Sequence, residues 1–278
     1  MEKIYSKIIK KIKDYISYDF NLNKKFNHYN QKYSMDDLLN AIIIIMKKGI
    51  KYRDISIYCN INWNTVYKFK MKLVRYNIME LVYKNIINDY LMELNEPTKI
   101  LYTDTSLIIN NLGVDMIAYN PQLKKHKTTK ISIITDAFNV PVNINVFNSN
   151  INDALIIYTQ LDDVYTNTQQ LCNNDTIFIG DAAYDSNKIR NKIEELKMGQ
   201  LLTGNNNRNT KNINLINGRK HKLKERMLLK TRINIEHTIN EYKKCKRIKI
   251  REDKYIKNYK SYLYLATIYI VIKQANLY

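Results

Sequence analysis

Through the first hundred residues apolar positions recur at helical spacing, and after that they gather into short, nearly continuous runs. Met35 to Lys48 (MDDLLNAIIIIMKK) reads as a buried helix. Ser34, Asp36 and Asp37 supply groups suited to a helix N-terminus, and Gly49 ends it. Lys51 to Tyr58 and Trp63 to Val74 read as two further helical stretches joined by the tight turn Cys59-Asn60-Ile61-Asn62, with Asn62 or Asn64 as the expected N-cap. Around Glu96-Pro97 the pattern turns strand-like, which places a domain boundary near residue 98: an all-helical domain over 1–97 and an α/β domain over 98–278.

Within the second domain, strands are expected at Thr98 to Ile109, Val114 to Tyr119, Lys130 to Thr135 and Val142 to Phe147, with Asp136 to Asn139 as a hairpin turn. A helix over Asp153 to Leu161, the strand Thr176 to Gly180 (TIFIG), a helix over Asn187 to Leu196 and a short strand ending at Leu201-Leu202 follow. The Asn-rich stretch Gly204 to Gly218 reads as a loop, and helical periodicity returns from Lys222 to Lys246 and from Asn258 to Ala275. A strand meander followed by helix, strand, helix and strand is the element order of a ribonuclease-H-like α/β domain, a mixed sheet flanked by helices.

Composition narrows the classes. The chain has 278 residues, 45% of them hydrophobic, so it has ample core material and is not a disordered basic tail. Its three cysteines, Cys59, Cys172 and Cys245, are too far apart in sequence for a Cys-x-x-Cys knuckle, and a reducing compartment is expected. The longest apolar runs fall well short of the roughly 20 residues a membrane-spanning helix needs. The N-terminal stretch mixes acidic residues among its lysines, unlike a signal peptide.

Charge sharpens the reading. The net charge is +19, and Lys outnumbers Arg 36 to 9 alongside abundant Ile, Asn and Tyr, a bias expected of an AT-rich genome. Yet the charge is uneven: +8 over residues 1–100, −3 over 101–207, +13 over 208–260 and +1 over the remainder. Two basic regions flanking a slightly acidic middle favour a nucleic acid over a membrane surface, because no amphipathic anchor accompanies them. The two short helices around Cys59 then fit a helix-turn-helix, whose second helix would carry Asn64, Thr65, Lys68 and Lys72 to base edges or phosphates of double-stranded DNA. A plain helical hairpin with solvated lysines is the competing reading.

Among the acids of the middle segment, position selects two. Asp104 interrupts an apolar strand, where an unpaired carboxylate is costly. Asp181 follows directly on TIFIG, at the strand end where open α/β sheets place ligands. Two convergent carboxylates without His or Cys suit hard cations such as Mg²⁺. For a third acid Glu194, Glu195, Glu225, Glu236 and Glu241 all remain open. Arg232, Glu236 and Lys243 fall on one helical stripe, which by itself is better read as an ordinary i, i+4 Arg-Glu ion pair.

Taken together, Asp104 in YTDTS, Asp181 in GDAAYDS and Glu236 in RINIEHTINEYK resemble the catalytic triad of bacterial insertion-sequence transposases, the DDE group related to insertion sequences four and five. Arg232, Glu236 and Lys243 match that family's C-terminal signature, while Leu229 stands where it has Tyr. Asn152-Asp153, KYRDISIYCNINWNTVYKFK and KCKRIKIREDK resemble further family blocks, and Thr and Asn replace glycines expected near Lys127 and Asp136. The resemblance implies Mg²⁺-dependent cleavage of DNA at element ends and strand transfer by 3′-hydroxyl attack. Asp104, Asp181 and Glu236 would hold two metal ions, Mn²⁺ substituting, and Arg232 and Lys243 would grip phosphates. It also implies a homodimer or larger assembly, working in a bacterial cytoplasm or, for a eukaryotic or viral copy, in a nucleus or viral factory. Two alternatives are a transposase-derived DNA-binding protein without catalysis and a nuclease of the same fold without strand transfer.

Overall fold

The computed structural model describes residues 2–26, 32–94, 98–120, 123, 126–167, 172–204 and 222–275. Among the described residues six α-helices come first: α1 (Glu2–Tyr18), α2 (Phe20–Phe26), α3 (Met35–Lys48), α4 (Ile55–Cys59), α5 (Trp63–Arg75) and α6 (Ile78–Glu93). Next come β1 (Ile100–Asn110), β2 (Ala118–Tyr119), β3 (Lys127–Asp136), β4 (Pro141–Asn148), α7 (Asp153–Asn167), β5 (Ile177–Gly180), α8 (Asn187–Glu195) and β6 (Gln200–Thr203). The chain continues through α9 (Leu223–Lys230), α10 (Ile233–Lys244), α11 (Lys246–Lys249), β7 (Ile250–Arg251) and α12 (Ile256–Gln274). Most of the expected Gly204 to Gly218 loop, and Glu96-Pro97, lie outside the described residues.

The chain forms two compact units, one of residues 1–90, 108–116 and 241–278, the other of 91–107 and 117–240. The sequence pattern continues one α/β domain to residue 278; in the packing, residues 241–278 group with the N-terminal helices. The physical reason is α12, which is buried on all sides (Tyr259, Tyr262, Leu263, Leu265, Ala266, Ile268, Ile270 and Val271), and a helix apolar all round must be enclosed by other helices. It packs against α1, α3, α5 and α11. On α1 the residues Ile8, Ile12 and Ile16, four apart, form a single buried face. The start and stop of α3 are as the sequence indicates. Ser34 and Asp37 form a reciprocal capping box, and Gly49 ends the helix in the left-handed region at φ 66°. Asn62 caps α5 by accepting from the Asn64 N–H at 2.9 Å.

The strands lie across the sheet in the order β4-β3-β1-β5-β6, with β2 also on β3 and β7 also on β1. β3 and β4 form an antiparallel hairpin, while β1, β5 and β6 run parallel. This is the ribonuclease-H-like arrangement that the element order predicts. Asp136 is the turn acid of the hairpin, buried and accepting from the Phe138 and Val140 N–H groups at 2.9 Å each. The strand expected over Val114 to Tyr119 shrinks to Ala118–Tyr119, because Met116 takes a positive φ of 50° that breaks an extended run. α7 packs on β4, and α8 packs on α7 and β6.

Candidate active site

β1 and β5 are aligned Ile100 to Ile177, Leu101 to Phe178 and Tyr102 to Ile179. Continued two residues, that register sets Asp104 level with Asp181. Residues level on adjacent strands point to the same face, with backbones about 4.8 Å apart. Asp181 stays extended (φ −67°, ψ 159°) and caps the short 3₁₀ turn Ala182–Tyr184, accepting from the Ala182 N–H at 2.6 Å. Gly180 makes this turn possible. A Cβ there would lie 2.5 Å from Tyr184 Cδ2 and 3.2 Å from Thr103 Cγ2. Tyr184 is buried, and its phenol is held far above its ordinary pKa by burial and by the nearby Asp104 and Asp153.

Asp104 accepts from the Thr105 N–H at 2.8 Å and from Arg232 Nη1 at 3.2 Å. Burial pushes its carboxyl up to about 6; the Thr105 N–H and Arg232 oppose the rise, and Asp181 and Asp153 add to it. Arg232 precedes α10, and its Nη2 donates to Glu236 Oε1 at 2.9 Å. One guanidinium therefore joins Asp104 to Glu236. The start of α10 is fastened to β1 by the Tyr102 hydroxyl, which donates to Thr231 Oγ1 at 2.9 Å and accepts from Asn234 Nδ2 at 3.3 Å. These bonds aim Arg232 at Asp104.

Beside this group lies a part of the site that residue-by-residue reading overlooked. Lys130 on β3 is buried and paired with Asp153 at 2.7 Å, and Thr105 Oγ1 donates to the same Asp153 Oδ1 at 3.1 Å. The available signal was a lysine opening the apolar run KISII and the Asn152-Asp153 pair. A cleft of about 620 Å³ opens here, lined by Lys130, Asn150, Asn152, Asp153 and Asp181 among others. Among the described residues no three His, Cys, Asp or Glu side chains are grouped closely enough to hold a metal ion.

Arg232 and Glu236 thus join Asp104, level with Asp181, in one unit. Lys243, half-buried in the last turn of α10, belongs to the other unit. On α5, Asn64 and Lys68 are exposed and Thr65 is half-buried. Lys72 is half-buried: its ammonium donates to the Lys25 carbonyl oxygen and lies 4.7 Å from the Phe26 ring centroid, and burial lowers its pKa. Leu229, at the family Tyr position, is half-buried on α9.

The family described as the transposase DDE domain matches residues 117–271, more than half of the chain. The chain belongs to this family. Of the three acids, Asp181 and Glu236 fall inside the matched DDE region and Asp104 just before it. Among solved structures, this DDE-family chain is similar to the piggyBac transposase synaptic complex with hairpin DNA at 12% identity and TM-score 0.44, over 79% of this chain and 52% of that one. It therefore spans about half the length of the piggyBac chain. It is also similar to the pre-cleavage Mos1 transpososome, at 10% identity and TM-score 0.30 over 91% and 82% of the two chains. The Mos1 strand transfer complex compares at 11% identity and TM-score 0.30, over 91% and 81%. No curated protein matches the chain.

Proposed function

We propose that this DDE-family chain is a DNA transposase, cutting DNA at element ends and joining the freed 3′-hydroxyl to target DNA, with Asp104, Asp181 and Glu236 as its catalytic carboxylates. The observation that carries the reading is the β1–β5 register, which sets Asp104 level with Asp181, with Arg232 linking Asp104 to Glu236. The donor set is all oxygen, the kind hard divalent cations take; among the described residues the acids are not grouped closely enough to form a metal site, and Arg232 bridges Asp104 and Glu236, so cations would draw the three together in its place. Asp104, Asp181 and Glu236 would hold two Mg²⁺ ions, or Mn²⁺ in their place. Bound there, the cations supply activation of the attacking oxygen and stabilisation of the leaving one.

The chain's own residues do the rest. Arg232, a bidentate donor, keeps Asp104 and Glu236 oriented and offers positive charge to a phosphate arriving between them. Asp181 is held by the Ala182 N–H, and its position depends on the close packing at Gly180. Lys243 would grip a phosphate. Asn64 and Lys68, exposed at the front of α5, would meet double-stranded DNA with Thr65 behind them. Synapsis of two ends requires a dimer or larger assembly.

One feature favours a second reading, a transposase-derived DNA-binding protein that no longer cuts. Arg232 occupies the space between Asp104 and Glu236, and Leu229 replaces the family Tyr. A duplex carrying the sequence that flanks the gene distinguishes the two. With Mg²⁺ the protein is expected to cleave it, and Asp104→Asn, Asp181→Asn and Glu236→Gln each to lose at least ~100-fold, about 2.7 kcal/mol of barrier. Cleavage intact in all three variants would show the site to be wrong. Binding without cleavage by the unaltered protein would support the second reading, and nicking without joining would indicate a nuclease.

A further inference from the structure

Lys130 is 6% exposed, on a strand whose residues from 128 to 136 are all buried. Its ammonium has three N–H donors. One meets Asp153 Oδ1 at 2.7 Å and another the Ile151 carbonyl oxygen at 2.7 Å. The third has no partner among the described residues, and Lys130 lines the cleft that Asp181 also lines. A lysine kept only for stability could be replaced, with its partner, by apolar side chains without loss. Here the pair instead fixes a cation at the edge of the reacting carboxylates. The acids facing it are Asp153, which it neutralises, and Asp181; the amides of Asn150 and Asn152 share the lining.

At about 620 Å³ the cleft falls within the range of roughly 300–1,000 Å³ typical of small-ligand pockets. That is room for one sugar-phosphate step of a strand and too little for a duplex. We infer that Lys130 is a substrate-contacting residue, its third N–H binding the phosphodiester that neighbours the one processed at Asp104 and Asp181. Asp153, which anchors Lys130 and is bonded by Thr105 beside Asp104, is the positioning residue that keeps this phosphate subsite in register with the carboxylates. The inference rests on the reading of the site as one that processes DNA strands.

The test is equilibrium binding to the gene-flanking duplex, without divalent cations and in an Asp181→Asn parent, so that no cleavage intervenes and the acidic wall is neutral. Each phosphate contact contributes about 0.9 to the slope of log affinity against log salt. Adding Lys130→Gln is expected to lower the slope by about that amount, and Lys130→Arg to retain it. If Lys130→Gln does not fold, Lys130→Gln combined with Asp153→Asn removes both charges and is read the same way. An unchanged slope in a folded variant overturns the inference and leaves the proposed function standing. A parent that does not bind the duplex at all sinks the functional reading and this inference with it.

Discussion

Lys70 is fully buried on α5, with its ammonium 3.4 Å from the Asn258 carbonyl oxygen and 4.2 Å from the Tyr262 ring centroid. Burial lowers its pKa to about 7; Asp253 opposes the shift and Arg247 adds to it. In the unfolded chain a lysine holds its proton to about pH 10.4. Between pH 7 and 10 the unfolded state therefore binds more protons, and stability rises with pH, by up to about 1.4 kcal/mol per pH unit. Below pH 7 both states are protonated and this gain is absent. Chemical denaturation from pH 7 to 9.5 should show the rise, and Lys70→Met should flatten it; an unaltered slope in that variant would refute the assignment. At this scale the sequence was partly legible. The spacing of Arg232 and Glu236 announced their pairing, since a helix repeat is local. That the same guanidinium reaches Asp104, 128 residues away, depends on strand register and could not be read.

Elements were read best where local chemistry decides them. The capping box at Ser34 and the glycine stop at 49 delimit α3 within the chain itself, and the apolar run TIFIG announces β5. The shortening of β2 turned on one left-handed residue, Met116, which no pattern signals. The contact of Lys72 with Lys25 and Phe26 likewise depends on α2, which the helical pattern of the first hundred residues does not set apart. The β5 end makes a prediction of its own. Gly180→Ala would force the Ala182–Tyr184 turn away from β1, because the added carbon meets the Tyr184 ring at 2.5 Å. Cleavage should fall at least ~10-fold, since sub-ångström placement governs such chemistry. A variant with full cleavage rates would show that the carboxylates tolerate the shift.

On the scale of the whole chain, the order of residues and the grouping of residues diverge. The acids Asp104, Asp181 and Glu236, the strands β2 to β6 and most of β1 lie in the unit of 91–107 and 117–240, which interrupts a largely helical unit built from both flanking stretches and residues 108–116. The sequence showed a helical start and an α/β continuation correctly, but helical periodicity alone does not say which neighbours a helix will choose. The unbroken apolar surface of α12 was the usable hint. A fragment of residues 1–90 is accordingly expected to lack a cooperative thermal transition, its Ile8, Ile12 and Ile16 face having lost the helix it packs against. A sharp two-state melt of that fragment would contradict the packing described. The same arrangement bears on biosynthesis: α1 leaves the ribosome before α12 and must wait for it, so the apolar faces of α1 and α3 stay open while residues 49–255 are made. The nascent chain would be a natural client for chaperones, and the ribonuclease-H-like sheet would be complete before the helices that precede it in sequence.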